Sequence, residues 1–262
     1  MRVGALNVLP IFDGTATMPV DELLRFTGPR DDPWGPHASF LGEGNTLTLA
    51  MGGFLVQTGD HLVLIDTGIG PLISPPIEGG KLMESLAVVG HSADEITDVC
   101  FTHLHFDHVG WATSKGQIMF PNATYRCHRE DWRHFIDGED PGSVRKLSPI
   151  TSRMEFWESD GQLFPNIDVT GAPGHTPGST IFVISNGGEQ ALLLGDVVHC
   201  PVELVEDDWE AVVDVDPVLA RRTREALSRE YAGRDVPMAA SHFPGLQFGR
   251  LLEGVGQRSW VY

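Results

Sequence analysis

Basic side chains are scarce in this chain. Eighteen Lys and Arg stand against 36 Asp and Glu, a formal net charge of −18. A surface this acidic repels phosphate backbones at long range, which argues against nucleic acid as a partner. Cysteine is scarcer still. Cys100, Cys127 and Cys200 are odd in number and lack C-x-x-C spacing, so they imply no disulfide framework and fit a reducing, cytoplasmic compartment. Cys100, inside the apolar run Val99-Cys100-Phe101, reads as a buried thiol. Met1 to Pro10 has no signal-peptide h-region, and no apolar run is long enough to cross a bilayer, so no membrane partner is expected. Repeats, low-complexity tracts and linkers are missing too, and 262 residues then suit a single α/β domain over 1–262. A chain of this length buries roughly three quarters of its unfolded surface. It needs no metal to staple its fold, so a metal site here is expected to be catalytic.

Such a site is what the chain does contain. His103-Leu104-His105-Phe106-Asp107-His108 packs four metal-binding side chains into six residues, directly after an apolar run. Neutral imidazoles with a carboxylate suit borderline cations such as Zn²⁺. In an extended segment His103 and His105 project the same way. Asp107 and His108 point apart there, and a turn would let them serve a second ion.

The surrounding pattern is strand-rich. Val3 to Phe12, Thr46 to Thr58, His61 to Asp66, Asp98 to Thr102, Ala123 to Cys127, Ile167 to Ala172, Thr180 to Ser185, Ala191 to Leu194 and Val236 to Ala240 read as strands, with a hairpin turn at Gly59-Asp60. Asp94 to Ile96 reads as a helical turn and Arg129 to Ile136 as a helix. Asp216 to Tyr231 reads as a helix with Pro217 in its first turn and Leu219 and Leu227 on its inner face. Asp137 to Asp160 is ambiguous. Gly14 to Gly44, rich in Gly, Pro and charge, reads as a long loop of the kind that forms a lid or substrate loop. The stretch Glu203 to Asp216, acidic and without Lys or Arg, reads as a solvated face. Strands and a helix followed by a second such half predict an α/β fold of two packed sheets flanked by helices, an αββα sandwich.

The later strands end on further ligand types. Ile167 to Ala172 leads to His175 in a Gly/Pro turn, Ala191 to Leu194 runs into Gly195-Asp196, and Val236 to Ser241 ends at His242. Sheet proteins gather chemistry where strand ends meet loops. His103, His105, Asp107, His108, His175, Asp196 and His242 together supply enough donors for two metals, with Asp196 suited to bridging them. Asp66, which also ends an apolar run, reads as a residue that bonds its own turn or the neighbouring metal-site loops. His37, His61, His91, His128 and His134 lack such placement. Trp111 and Phe243, each within three residues of a ligand, and Trp34 in the long loop are the expected pocket walls; Phe26, Phe40, Leu246 and Phe248 are weaker candidates.

The set Asp66, His103-x-His105-x-Asp107-His108, His175, Asp196 and His242 resembles the metallo-β-lactamase fold superfamily, in order and spacing, over nearly the whole chain. The resemblance implies the αββα sandwich with a dinuclear site at one edge. His103, His105 and His175 would hold one metal, Asp107, His108 and His242 the other, and Asp196 would bridge. Gly195-Asp196-Val197-Val198-His199, Val213-Asp214-Val215-Asp216-Pro217 and His242-Phe243-Pro244-Gly245 look like the methyl parathion hydrolase branch, beside the acyl-homoserine-lactone lactonases. Those lactonases commonly carry Tyr where this chain has His199, which leaves room for esters, other lactones and phosphotriesters of small apolar molecules.

Two divalent ions, Zn first and Mn, Fe or Co after it, would supply a metal-bridging hydroxide near neutral pH. Asp107 is then the expected proton holder and His199 the donor to a developing oxyanion or leaving group, or else a histidine that orients the bridge. The alternatives are a glyoxalase-II-like thioesterase, a mononuclear iron thiol or persulfide dioxygenase, and a non-enzymatic metal-binding module. The partner expected is a small-molecule substrate; oligomeric state is left open, a homodimer included.

Overall fold

The computed structural model describes residues 1–262. Its framework is two sheets. The first has nine strands, eight of them side by side in the order Met154–Trp157, Thr124–His128, Asp98–Cys100, His61–Ile65, Thr46–Thr58, Leu6–Pro19, Ile77–Glu78 and Ile73–Ser74, with Arg2–Val3 pairing alongside Leu6–Pro19. The second runs Gly161–Phe164, Ile167–Gly171, Thr180–Asn186, Glu189–Leu193 and Met238–Ala239. Each sheet mixes antiparallel hairpins with parallel pairs, such as His61–Ile65 beside Asp98–Cys100 and Glu189–Leu193 beside Met238–Ala239.

Period-two alternation sorts the side chains into layers. Val8, Val56, Val63 and Ile65 face the second sheet and pack with Ile167, Phe182, Ile184 and Leu193. Their neighbours Leu55, Leu62 and Leu64 face the opposite way, against Leu82, Leu86, Trp132 and Phe135 from the outer helices. On the far side of the second sheet, Ile181 and Leu192 meet Leu204 and Leu227. Helices therefore cover both outer faces, and the layers are those of the expected αββα sandwich.

Three expectations need correcting. Gly14 to Gly44 is not a structureless loop. Gly14 to Pro19 continues the strand Leu6–Pro19 and pairs with Thr46–Thr58. After it come the helical turn Val20–Leu23, the strand Leu24–Phe26 paired with Trp209–Ala211, and the 3₁₀ segment Gly35–Phe40. The alternation was hard to see because Thr15 and Thr17 flank an apolar position filled only by Ala16. Leu219 does not face inward either. On the helix Pro217–Tyr231 the buried positions are Ala220, Arg224, Leu227 and Ser228, and Leu219 is exposed. Finally, Glu203 to Asp216 is not simply a solvated face, because Glu203 and Asp214 are buried.

A buried carboxylate ties the first sheet to its covering loops. Asp13 is fully buried and accepts hydrogen bonds from the backbone N–H groups of Gly70 (2.9 Å), Gly80 (3.1 Å) and Leu82 (2.9 Å) and from the Trp111 indole (2.8 Å). Asp13→Ala orphans three buried donors, from Gly70, Leu82 and Trp111, at about 1–3 kcal/mol each. Urea denaturation should show a loss of at least about 3 kcal/mol; a loss under about 1 kcal/mol would show that water replaces the carboxylate.

Candidate metal centre

The seven residues singled out from the sequence converge. His103, His105 and His175 form one tight group; Asp107, His108, Asp196 and His242 form another. In the first, His103 Nε2 lies 3.0 Å from His105 Nδ1 and 3.2 Å from His175 Nε2, and the last two atoms are 2.9 Å apart. In the second, Asp196 Oδ1 is 3.2 Å from His108 Nε2 and Oδ2 is 2.9 Å from His242 Nε2. Asp107 Oδ2 stands 3.5 Å from His242 and 3.8 Å from His108. Asp196 also faces the first group, with Oδ2 3.8 Å from His103 Nε2 and 3.7 Å from His175 Nε2.

The local backbone explains the convergence. The strand Asp98–Cys100 stops before the motif, and His103 to His105 have no regular structure. The pairing of His103 with His105 therefore comes from a loop rather than from strand alternation. A turn at Phe106 to Val109 brings Asp107 and His108 to the same group. Asp196 follows Gly195, whose φ of +54° and whose approach to the Thr102 side chain leave no room for a Cβ.

Outer hydrogen bonds set the imidazole tautomers. Asp66, held at φ +63°, accepts from Thr102 N (2.8 Å) and Thr102 Oγ1 (2.7 Å) and pairs with His108 Nδ1 (2.9 Å). Because the Thr102 hydroxyl proton goes to Asp66, His103 Nδ1 at 3.1 Å must donate to Thr102 Oγ1. His175 Nδ1 donates to Asp214 (3.1 Å), His242 Nδ1 to the Ala50 carbonyl (2.9 Å) and His108 Nδ1 to Asp66. In the neutral rings, every Nε2 of these four histidines then turns a lone pair inward. Lone pairs about 3 Å apart do not bond to one another; they converge on a cation. His108 Nε2 and Asp196 Oδ1 are both buried without a hydrogen-bond partner. The donor set thus fits divalent metal, and the outer bonds are of the kind that orient metal-binding imidazoles.

The electrostatics divide the same way. Burial pushes the imidazolium form of His103 well down and takes His105 down to about 4. Burial and the neighbouring His199 lower His175 against the pull of Asp214. In the second group burial is outweighed by carboxylates: Asp196, Asp66 and Asp107 hold His108 well above its ordinary value, and Asp196 raises His242 to about 9. Burial of Asp196 is outweighed in turn by His108, His242 and His103, which hold its carboxyl well below the usual range. So the first group is dominated by burial, and the second by its carboxylates.

His199, three residues past Asp196, is buried beside both groups. Its Nε2 lies 3.6 Å from Asp196 Oδ2, and neither ring nitrogen has a hydrogen-bond partner. A cleft opens over the site. Ala16, Met18, Leu23, Leu49, Met51, Ile77, Phe106 and Val213 form its apolar walls, and His105, Asp107, His175, Asp196, His199 and His242 form its polar floor. The expected pocket walls are corrected here. Trp111 packs in the core beneath the outer helices with its indole on Asp13. Phe243 is fully buried against Trp260. Trp34 packs with its ring centroid 4.5 Å from that of Trp209 at a tilt of 50° and lines a separate cleft. Nearness in sequence to a ligand misled, because side chains next to a ligand point into the core that supports the loop.

Sequence reasoning also missed Asp131, Glu203, Asp214 and Arg224. Asp131, raised to about 6 by burial, accepts from Leu104 N (3.0 Å) and Gly178 N (2.6 Å), joining the two loops that carry His103 and His175. Arg224 was legible as a lone charge on a buried stripe at 220, 224, 227 and 228.

The fold and this constellation define a metallo-hydrolase: the chain belongs to the metallo-beta-lactamase superfamily, whose family model matches residues 53–236. Among curated proteins it is 24% identical over 229 residues to the N-acyl homoserine lactonase AiiA of Bacillus thuringiensis subsp. kurstaki, covering 78% of this chain and 88% of that one. Among solved structures it is similar to AidC, a dizinc quorum-quenching lactonase (TM-score 0.82, 24% identity, 100% of this chain and 95% of that one). It is also similar to the hydrolase AbOPH (TM-score 0.86, 22% identity, with the same coverage).

Proposed function

We propose that this protein is a dinuclear metal-dependent hydrolase of lactones, carboxylic esters or phosphotriesters of small, uncharged, apolar molecules. The observation that carries the reading is Asp196 at the floor of an apolar cleft, whose Oδ1 faces His108 and whose Oδ2 lies within 4 Å of His242 in one group and of His103 and His175 in the other. His103, His105 and His175 would hold one ion and Asp107, His108 and His242 the other, with Asp196 between them. Metal bound by these residues would supply a water of pKa about 7 and a Lewis acid for the electrophile's oxygen. The relatives named as homoserine lactonases favour lactones within this class.

This chain's own residues then divide the remaining work. Asp107, at the edge of the cleft, has a carboxylate placed to take the nucleophile's proton and return it to the leaving group. The walls from Met18 to Val213 bury an apolar substituent and keep water away. His199 has free ring nitrogens at the cleft floor, positioned to donate to the developing oxyanion or leaving oxygen. His199→Phe is expected to lower kcat by about 10²-fold with two metals still bound. Unchanged kcat with metal loss would make His199 a holder of Asp196 instead.

A screen of metal-replete protein on aryl esters, γ- and δ-lactones, acyl-homoserine lactones and paraoxon-type triesters tests the reading. Turnover of at least one neutral class is expected. The walls include no cationic group, so an anionic glutathione thioester should be cleaved at least about 10²-fold less well. One iron per chain with thiol oxidation, or metal-loaded protein inert on the whole panel, would overturn it.

A further inference from the structure

We infer that Arg224 is a positioning residue that holds both walls of the metal centre at once. It acts through two buried carboxylates on either side of its guanidinium. This rests on the dinuclear reading above and deepens it.

Arg224 projects from the middle of the helix Pro217–Tyr231 and is almost wholly buried. One arm of the guanidinium donates from Nη1 to Asp214 Oδ2 (3.1 Å), and Asp214 Oδ1 holds His175 Nδ1 (3.1 Å). The other side faces Glu203, with Nε 3.5 Å from Oε1. Glu203 Oε2 accepts from the backbone N–H groups of His199 (2.6 Å) and Cys200 (3.0 Å). One carboxylate therefore orients a ring of the first histidine group. The other pins the backbone that carries His199 and leads back to Asp196. Backbone bonds from Val215 N to the His175 carbonyl (3.0 Å) and from Asp216 N to the Gly174 carbonyl (2.9 Å) dock the same segment onto the His175 turn.

The charges explain why arginine stands here. Two buried carboxylates facing different loops need a cation between them, and a planar guanidinium can bond Asp214 from one edge while its other edge pairs with Glu203. Their net charge is −1, aimed at the histidines, which favours cations on the far side of those rings. A lysine at 224 keeps the charge, but its single ammonium serves the two carboxylates at once less well.

The two arms predict a split that a merely structural role would not produce. Asp214→Asn is expected to weaken affinity for one of two metals by about 10–100-fold in chelator competition and to alter the absorption spectrum of the cobalt-loaded protein. Glu203→Gln is expected to keep both affinities and lower kcat about tenfold at unchanged KM. Arg224→Lys is expected to do both. Should Arg224→Lys fail to fold, the two carboxylate variants carry the test. Wild-type affinities, spectrum and kcat in all three, or an equal fall in melting temperature with none of these changed, would overturn the inference. Metal affinity and the cobalt spectrum read out even if no substrate is cleaved, so failure of the hydrolase reading would show separately.

Discussion

Asp196→Ala is expected to lower kcat/KM by at least about 10³-fold and to reduce bound metal from two ions per chain to one or fewer. The reason is position. The Asp196 carboxylate lies within 4 Å of inward nitrogens in both groups, at 3.2 Å from His108, 2.9 Å from His242, 3.8 Å from His103 and 3.7 Å from His175. Charge stabilisation by a metal pair is worth several kcal/mol in the transition state, and about 4 kcal/mol corresponds to 10³ in rate. Elemental analysis beside steady-state kinetics checks both halves of the expectation. Asp196→Asn sharpens it: the amide fills the same space but offers only one acceptor oxygen, so it should resemble alanine in metal content and metal-stripped wild type in melting behaviour. Full activity in either variant, with metal content unchanged, would remove Asp196 from the mechanism.

The candidate metal-site residues were legible because their chemistry is carried by residue type at strand ends. His175 in a Gly/Pro turn, Gly195-Asp196 and Ser241-His242 each follow an apolar run, and the sheets deliver those runs to one edge. Asp66 was read as a residue serving the neighbouring loops, and it bonds Thr102 and His108. The layers were legible too, since Val63 and Ile65 alternate with Leu62 and Leu64 across the sheet. The pocket was not, because which face of a loop an aromatic side chain takes depends on packing partners far along the chain. Trp111 is claimed by Asp13, 98 residues away. The cleft is instead walled by Met18, Leu49 and Met51 from two long paired strands, whose inward positions look like ordinary core. Glu203 and Asp214 were misread for a related reason. A stretch without Lys or Arg looks solvated until Arg224, from the following helix, is seen between its two buried acids.

Stripping both metals is expected to leave the protein folded but to lower its melting temperature by roughly 10 °C or more. Ligands that bind only the native state stabilise it by RT ln(1 + [L]/Kd), about 4 kcal/mol for each site filled at a thousandfold excess over Kd. For a domain near this size a kcal/mol shifts the midpoint by roughly 2–4 °C. The geometry indicates where the loss falls. His103, His105 and His175 hold ring nitrogens 2.9–3.2 Å apart, and the outer bonds to Thr102 and Asp214 commit the His103 and His175 protons elsewhere. Without a cation between them those nitrogens must separate or take up a proton against burial, and the loops at His103 and His175 should loosen first. Hydrogen exchange at Leu104 and Gly178, whose N–H groups are both held by Asp131, would report that loosening, and added Zn²⁺ should reverse it. The core between the sheets and the cores under the two helical layers are held by apolar packing, so unfolding of the stripped protein should stay cooperative. A small metal-stapled domain would instead collapse on chelation. An unchanged midpoint after elemental analysis shows full removal would mean that the imidazoles find partners among themselves, and the donor-set argument for the metals would fail with it.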